Sequence, residues 1–256
     1  MFIIPDWPIP KNIKALCTTR QGGVSKAPFD SLNMATHVED VLSDVMQNRA
    51  LIQQKANLPS EPVWLNQQHT DIALELTNQS SFAEPVIADA SWTQSQNVVC
   101  VVMTADCLPI LLTDKQGSCV AAIHAGWKGL ADKIVSQTIQ KMPVEPSELM
   151  AWIGPAISAR QFEVGQDVFD AFALQSSDNT QFFYQQSTQS STKFQTVKYL
   201  ADLPGLVSLE MQKLGLTQIH KSNLCSYEDN EQFFSYRRHG KTGRMASMIW
   251  IEESRC

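Results

Sequence analysis

Two histidines and one cysteine stand at polar or glycine-marked breaks beside apolar segments of this sequence. They lie in Asn66-Gln67-Gln68-His69, Thr104-Ala105-Asp106-Cys107 and His124-Ala125-Gly126-Trp127. Imidazole and thiolate donors suit zinc, and three protein ligands leave the fourth tetrahedral position for water or substrate. The donor set therefore predicts a catalytic zinc site with ligands His69, Cys107 and His124, and hence an enzyme.

The spacing of two of these residues supports the same interpretation. The segment from Cys107 to His124 is about long enough for a strand, a turn and a returning strand, which would bring both side chains to one end of a sheet. Two alternatives stay open from the residues alone. Cys107 can instead be a nucleophile with His124 as its base, or the cluster can be structural in a protein that only binds a partner.

Other polar residues are candidates for supporting roles. Asp106 and Asp89 can orient the metal-binding imidazoles or move protons, although turn capping is the simpler explanation for Asp89. His37 can face the same cleft.

Two arginine-bearing segments are candidates for anion binding. Arg20 precedes Gly22 and Gly23, and paired glycines let backbone amides approach a phosphate; an ordinary glycine turn is the plainer alternative. Arg238 lies in the basic segment 236–244, which can attract phosphate or a carboxylate or simply be a charged turn. We expect Arg20 and Arg238 to bind substrate, with Arg20 also acting in catalysis.

The composition restricts the partners and the compartment. The 256 residues carry a net charge of −6, whereas nucleic-acid-binding proteins usually present a basic surface. The most apolar segment, Asn97 to Thr113, is interrupted by Asp106 and is shorter than the roughly 20 residues that span a bilayer. Met1 to Pro10 lacks the basic start and apolar stretch of a signal peptide. These features predict a cytoplasmic protein that binds neither nucleic acid nor membrane.

The hydrophobic pattern predicts interspersed strands and helices. Predicted strands cover 63–65, 72–76, 98–103, 109–112, 118–124, 150–153 and 245–251. Predicted helices cover 41–56, 129–141, 166–174 and 201–214. Short connections between residues 98 and 123 favour antiparallel pairing, and Gln175 to Thr192 has the composition of a solvated loop. We expect one α+β domain over 1–256, with a mixed, largely antiparallel sheet flanked by helices.

Eight ordered motifs resemble the laccase-domain family of purine nucleoside phosphorylases, once labelled polyphenol oxidases, and the resemblance runs nearly end to end. The motifs are Thr18-Thr19-Arg20-Gln21-Gly22-Gly23-Val24-Ser25, Asn66-Gln67-Gln68-His69, Ala88-Asp89-Ala90, Thr104-Ala105-Asp106-Cys107-Leu108-Pro109-Ile110, His124-Ala125-Gly126-Trp127-Lys128-Gly129, Ile153-Gly154-Pro155-Ala156-Ile157, Phe162-Glu163-Val164-Gly165 and Phe234-Ser235-Tyr236-Arg237-Arg238.

The resemblance implies a zinc enzyme with His69, Cys107 and His124 as ligands. It implies phosphorolysis of adenosine, inosine, guanosine and methylthioadenosine, together with adenosine deamination. The partners are then a purine nucleoside and phosphate, and we expect a monomer or weak homodimer. Copper is a possible occupant of the same soft site in vitro. The alternative function is a metal-assisted hydrolase or amidase that edits peptidoglycan precursors, as some bacterial relatives are linked to that process.

Overall fold

The computed structural model describes residues 1–186 and 197–253. Its strands are β1 Phe2–Ile3, β2 Ile13–Thr18, β3 Ala73–Glu75, β4 Ala90–Thr93, β5 Cys100–Thr104, β6 Leu108–Asp114, β7 Val120–Ala125, β8 Leu149–Ile153, β9 Glu163–Val164, β10 Phe183–Gln186, β11 Lys198–Ala201, β12 Gln218–Lys221 and β13 Met245–Ile251. Its α-helices are α1 Leu42–Lys55, α2 Trp127–Ala131, α3 Ile134–Lys141, α4 Gln166–Ala173, α5 Leu203–Lys213 and α6 Tyr236–His239.

The strands form three sheets. A six-stranded sheet has the order β12-β8-β6-β7-β4-β3, a four-stranded sheet the order β1-β2-β13-β5, and a small sheet the order β10-β11-β9. Pairing is antiparallel except for β12 with β8 and β3 with β4. The predicted α+β class with mixed, largely antiparallel pairing is confirmed.

The two large sheets pack face to face and helices cover their outer faces. In β7, Val120 and Ala122 pack toward the four-stranded sheet, whereas Ala121 and Ile123 pack toward α3 and α5. On the far side, Ile52 of α1 packs in one cluster with residues of β5 and β13. Because β6 and β7 are buried on both faces, their sequences are continuously apolar rather than alternating. This layering makes the central hairpin a rigid support for side chains at its end.

The β6–β7 hairpin has the turn that the sequence predicts at 114–117. The N–H of Gly117 donates to the carbonyl of Asp114 at 3.0 Å, and Gly117 has φ +67°, a conformation that favours glycine. By contrast, β5 and β6 do not pair, although their short connection indicates a hairpin. They belong to different sheets, and residues 105–107 carry the chain from one sheet to the other.

Three further sequence predictions differ from the structure. The predicted strand at 63–65 forms only a single bridge, from Val63 to Cys100. The predicted helix at 129–141 begins at Trp127 and is broken into α2 and α3, because Lys133 adopts a left-handed φ of +71°. Part of the predicted loop at 175–192 is strand β10, and its residues 187–192 lie outside the described residues. Within 1–186 and 197–253, no helix has both the length and the apolar character needed to cross a bilayer.

Candidate active site

The predicted metal ligands come together where the chain passes between the two large sheets. Cys107 ends the connection between β5 and β6, and the hairpin register sets Pro109 opposite His124 in β7. His69 lies in the loop before β3. The side chain of Gln67 holds this loop to β5, because it donates to and accepts from the backbone of Met103 at 2.8 Å each.

The donor atoms of the three residues have the separation that one metal ion requires. They all lie within 4.8 Å of one another, and Cys107 Sγ is 3.8 Å from His69 Nε2. Tetrahedral zinc with one sulfur and two nitrogen ligands puts its donors about 3.3 to 3.6 Å apart. The three side chains therefore need to move only slightly to bind one ion. One thiolate and two imidazoles are donors that suit zinc or copper.

A buried carboxylate orients one imidazole of the cluster. Asp89 is fully buried and accepts five hydrogen bonds, four of them from the loop that carries His69. The fifth joins its Oδ1 to His124 Nδ1 at 2.7 Å. A metal-binding histidine usually makes this contact through its second ring nitrogen, because it fixes the tautomer and aims the other nitrogen at the ion. Asp89 thus has both roles that the sequence leaves open: it orients the imidazole of His124, and it caps the loop that carries His69.

The charges within the cluster favour the forms that bind a metal. Burial raises the pKa of the Cys107 thiol, but His124 and His69 outweigh burial and lower this pKa to about 6. Burial lowers the pKa of His124, but Cys107 and Asp89 outweigh it and raise this pKa to about 9. Both shifts have the same cause, because Cys107 and His124 each stabilise the charged form of the other, and a thiolate is the form of cysteine that binds a metal.

Gly126 leaves room for the cluster. A Cβ at this position would lie 2.5 Å from His69 Cδ2 and 3.0 Å from Cys107 Sγ. Only glycine therefore allows the backbone after β7 to approach the ligands so closely. Together with the donor set and the Asp89 contact, this cradle shows that the residues fit a metal ion.

We expect Gly126→Ala to lower zinc affinity at least about 10-fold, because the added methyl group displaces His69 from its ligating position. Competition with a chromogenic chelator measures the affinity. Gly215→Ala is the control, since it strains the backbone at a φ of +106° but its Cβ would meet no atom nearer than 3.9 Å, and it follows α5, away from the cluster. Equal zinc affinity in the two variants would show that the ligands do not need the space that Gly126 leaves.

The cluster lies on the wall of a cavity of about 630 Å³. Aromatic rings line it at Trp127, Phe162 and Tyr236, and the cationic or titratable side chains of His37, Arg237 and Arg244 line it as well. Its size and mixture of apolar and polar groups are typical of a small-molecule site. Aromatic faces suit a planar heterocycle, and guanidinium groups suit an anion.

Asp106 lies beside Cys107 and adopts φ +93°, which lets the chain turn sharply between the two sheets. Its carboxylate accepts hydrogen bonds from the hydroxyls of Ser226 and Ser235 and from the backbone N–H of Arg237. Both oxygens are therefore occupied by groups that hold the 226 and 235–237 segments against the cluster. The sequence predicts that Asp106 transfers protons, and in the structure its hydrogen bonds hold neighbouring segments in position.

Arg20 and Arg238, the two arginines that the sequence predicts to bind substrate, do not lie at the metal-ligand cluster. Arg20 lines a separate cavity, where its guanidinium is bonded to Asp30 and Asn230. Arg238 donates to the backbone carbonyls of Ser226, Tyr227 and Phe233. Among the predicted substrate-binding residues, His37 is the one that lines the cavity.

Arg237, Arg244, Phe162 and Gln67 are site residues that sequence reasoning did not single out. Arg237 and Arg244 lie in the basic segment that the sequence marks, but the segment alone does not tell which of its cations face inward. Gln67 and Phe162 lie within the family-like motifs quoted above. Periodicity gives no sign of their roles, because neither lies in a regular amphipathic element.

Comparison with known proteins places the chain in a family. A family model described as multi-copper polyphenol oxidoreductase laccase matches residues 14–252. The chain belongs to this family. The resemblance drawn from its motifs is thereby confirmed.

Several curated members of the laccase-like family are named purine nucleoside phosphorylase. The Haemophilus influenzae member is 43% identical over 98% of this chain and 99% of its own length. The Escherichia coli member, purine nucleoside phosphorylase YfiH, is 43% identical over 98% of both chains. A solved Neisseria meningitidis structure is 44% identical, with a TM-score of 0.89 over 98% of this chain and 99% of its own. YlmD from Geobacillus stearothermophilus is 28% identical, with a TM-score of 0.86 over 98% and 96% of the two chains.

The description of the family suggests multicopper oxidase chemistry, and the ligand count of this chain does not support it. A multicopper oxidase holds several copper ions, each of which needs its own imidazole or thiolate ligands, whereas the whole sequence has five histidines. In the part of the chain that the structure describes, one group of three metal-ligating side chains has suitable spacing. The described residues therefore supply ligands for one metal ion.

Proposed function

We propose that this chain is a zinc-dependent purine nucleoside phosphorylase that acts on adenosine, inosine, guanosine and methylthioadenosine. The observation that carries the proposal is the His69, Cys107 and His124 cluster on the wall of a cavity that also offers aromatic rings and guanidinium groups. The names of the relatives at 39–43% identity support the same activity. Adenosine deamination is a second part of the proposal, in which the oxygen of water replaces the 6-amino group and ammonia leaves.

In phosphorolysis, an oxygen of phosphate forms a bond to the sugar C1′ while the C1′–N9 bond breaks. The bonding electron pair leaves with the purine, which takes up one proton, and the products are the free base and a sugar 1-phosphate. Trp127, Phe162 and Tyr236 offer stacking faces to the purine. Zinc, when bound by the three ligands, supplies Lewis acidity to polarise a substrate group. Asp106 acts as a positioning residue that fixes the turn carrying Cys107.

The test is product analysis with zinc-loaded protein. We expect inosine and phosphate to yield hypoxanthine and ribose 1-phosphate, detected by mass spectrometry and ³¹P NMR, with no free base when phosphate is omitted. Adenosine without phosphate is expected to yield inosine. Zinc-loaded protein that consumes no nucleoside under either condition refutes the proposal. Turnover of muropeptide precursors by the same sample would instead favour the amidase alternative.

The contact of the Cys107 thiol with two imidazoles, 3.8 Å from Sγ to His69 Nε2 with His124 in the same cluster, is the specific observation that favours the rival cysteine-nucleophile mechanism, because a histidine beside a thiol can act as its base. The two mechanisms differ in their response to chelation. Metal-dependent chemistry is expected to stop when zinc is removed by dialysis against a chelator and to return when zinc is restored. A nucleophilic Cys107 would retain its activity without metal and lose it on alkylation.

A further inference from the structure

The proposed reaction needs a site for phosphate beside the nucleoside, and the two arginines expected there are engaged elsewhere. Arg20 forms an ion pair with Asp30 at 3.1 Å. The guanidinium of Arg238 is surrounded by backbone carbonyls. A cation that binds phosphate must line the cavity itself, because direct bidentate contact gives guanidinium–phosphate pairs their strength.

Arg244 lines the cavity. Part of its guanidinium has no hydrogen-bond acceptor among the residues that the structure describes. Its Nη1 donates to the carbonyls of Thr242 and Gly243 at 2.8 and 3.1 Å. Over residues 1–186 and 197–253, no acceptor is bonded to its Nε or Nη2, and no carboxylate lies within 4.0 Å of the guanidinium. Nε and Nη2 form one edge of the planar fork, the edge that binds two phosphate oxygens at once.

The surroundings of Arg244 favour an anionic ligand. Burial lowers the pKa of this guanidinium, so the half-buried cation lacks much of the solvation it would have in water. Arg244 lines the same cavity as Cys107 and Asp106, but both carboxylate oxygens of Asp106 already accept hydrogen bonds from Ser226, Ser235 and the backbone of Arg237. A half-buried cation without a carboxylate partner is costly unless an anion offsets the lost solvation.

A buried asparagine fixes a second cavity residue beside Arg244. Asn33 is fully buried, and its Oδ1 accepts the backbone N–H groups of Arg244 and Ala35 at 3.0 Å each. The N–H of Met34 also donates to the carbonyl of Arg244 at 3.2 Å. These bonds join the 33–37 segment to Arg244 and set His37 near it in the cavity wall. Burial, followed by the nearby charges of Arg244, Arg49 and His124, lowers the pKa of His37.

We propose that Arg244 and His37 form the subsite for inorganic phosphate, next to the His69, Cys107 and His124 cluster. The inference rests on the proposed phosphorylase function and assigns its second substrate to a place in the cavity. The Nε and Nη2 edge of Arg244 donates to two phosphate oxygens, and an imidazole N–H of His37 donates to a third. Arg237 lies at another part of the wall, where it stacks on Phe162 at 5.0 Å and donates to the carbonyl of Glu163.

The test is direct binding of inorganic phosphate to the zinc-loaded full chain, measured by isothermal titration calorimetry. Arg244→Gln is expected to raise the Kd for phosphate about 10- to 100-fold, because a charged bidentate contact is lost. Zinc content and the KM for the nucleoside are expected to stay unchanged. Arg160→Gln is the matched control, since Arg160 is exposed and pairs with Glu228 in a different cavity. Its Kd is expected to equal that of the unmodified protein.

His37→Gln provides a second variant at an exposed position, in case Arg244→Gln fails to fold. We expect it to raise the Kd for phosphate severalfold. A Kd unchanged in both variants, or no binding by the unmodified protein at millimolar phosphate, overturns the inference. Phosphate binding that depends on Arg244 in a protein that consumes no nucleoside would uphold the subsite and refute the proposed phosphorylase function, so the two failures are distinguishable.

Discussion

Cys107→Ser is expected to abolish phosphorolysis and to lower zinc affinity about 100-fold or more. Four-ligand structural zinc sites bind with about 10 to 16 kcal/mol, so that each ligand contributes about 3 kcal/mol. A serine hydroxyl does not replace a thiolate, because it stays protonated near neutral pH, whereas the pKa of Cys107 is lowered to about 6. Zinc stoichiometry after dialysis and ribose 1-phosphate formation are the two measurements.

Cys225→Ser is the matched control for this substitution. Cys225 is also a half-buried thiol, but it lies outside the cluster and accepts the backbone N–H of Ser158 at 3.3 Å. A serine oxygen accepts the same hydrogen bond, so zinc content and activity are expected to remain normal. Cys107→Ser protein that binds one zinc ion as tightly as Cys225→Ser protein would show that the sulfur is not a ligand.

Asp89→Asn is expected to lower both stability and zinc affinity, although it changes the side chain by one atom. The amide presents donor hydrogens to backbone groups that are themselves donors, and it removes the charge facing His124. Loss of one partner in a buried charged network costs about 3 to 5 kcal/mol. Loss of the carboxylate behind a metal-binding histidine lowers metal affinity about 10- to 100-fold. Urea unfolding and chelator competition measure the two effects.

Asp114→Asn is the control that separates the effect on stability from the effect on zinc affinity. Asp114 is also a buried carboxylate, and it accepts the N–H groups of Ser118 and Cys119 and the hydroxyl of Ser118 in the β6–β7 turn. It lies at the opposite end of the hairpin from His124. We expect Asp114→Asn to lower the free energy of unfolding while zinc affinity stays normal. A normal zinc affinity in Asp89→Asn protein as well would mean that the Asp89 contact to His124 does not support the metal.

The same carboxylate predicts how stability depends on pH. Burial raises the pKa of Asp89, but hydrogen bonds from His124 and Thr70 outweigh burial and hold the pKa at about 2, below its ordinary value. The folded state therefore binds fewer protons than the unfolded state, so this group's stabilisation is complete above about pH 4 and is lost as the pH falls toward 2. In metal-free protein, the free energy of unfolding is expected to fall more steeply over this range than in Asp89→Asn protein.

Parts of the fold and site follow from the sequence because the physical signal is local. The hairpin that joins Cys107 to His124 is marked by two apolar runs and the turn at 114–117. Period-3.6 patterns locate α1, α4 and α5 to within a few residues. The three ligand candidates are recognisable because soft donors are rare beside polar breaks in apolar segments.

Other parts depend on contacts that no local pattern specifies. The division of β5 and β6 between two sheets is invisible in the sequence, because two short apolar runs with a brief connection usually form a hairpin. Asp89 stands in a plain Ala-Asp-Ala segment, and only the fold gathers its five donors. Arg20, Arg238 and Arg244 are all near glycines in the sequence, and tertiary structure decides that Arg244 is the one that lines the cavity.

The proposed function requires one metal ion held by one sulfur and two nitrogen atoms of the protein. X-ray absorption at the zinc edge of stoichiometrically loaded protein tests this directly. We expect one sulfur scatterer at about 2.3 Å and two imidazole nitrogens at about 2.0 Å, with the imidazole signal reduced in His124→Ala protein. A zinc ion without a sulfur neighbour, or with two or more, would contradict the assignment of His69, Cys107 and His124 as its ligands.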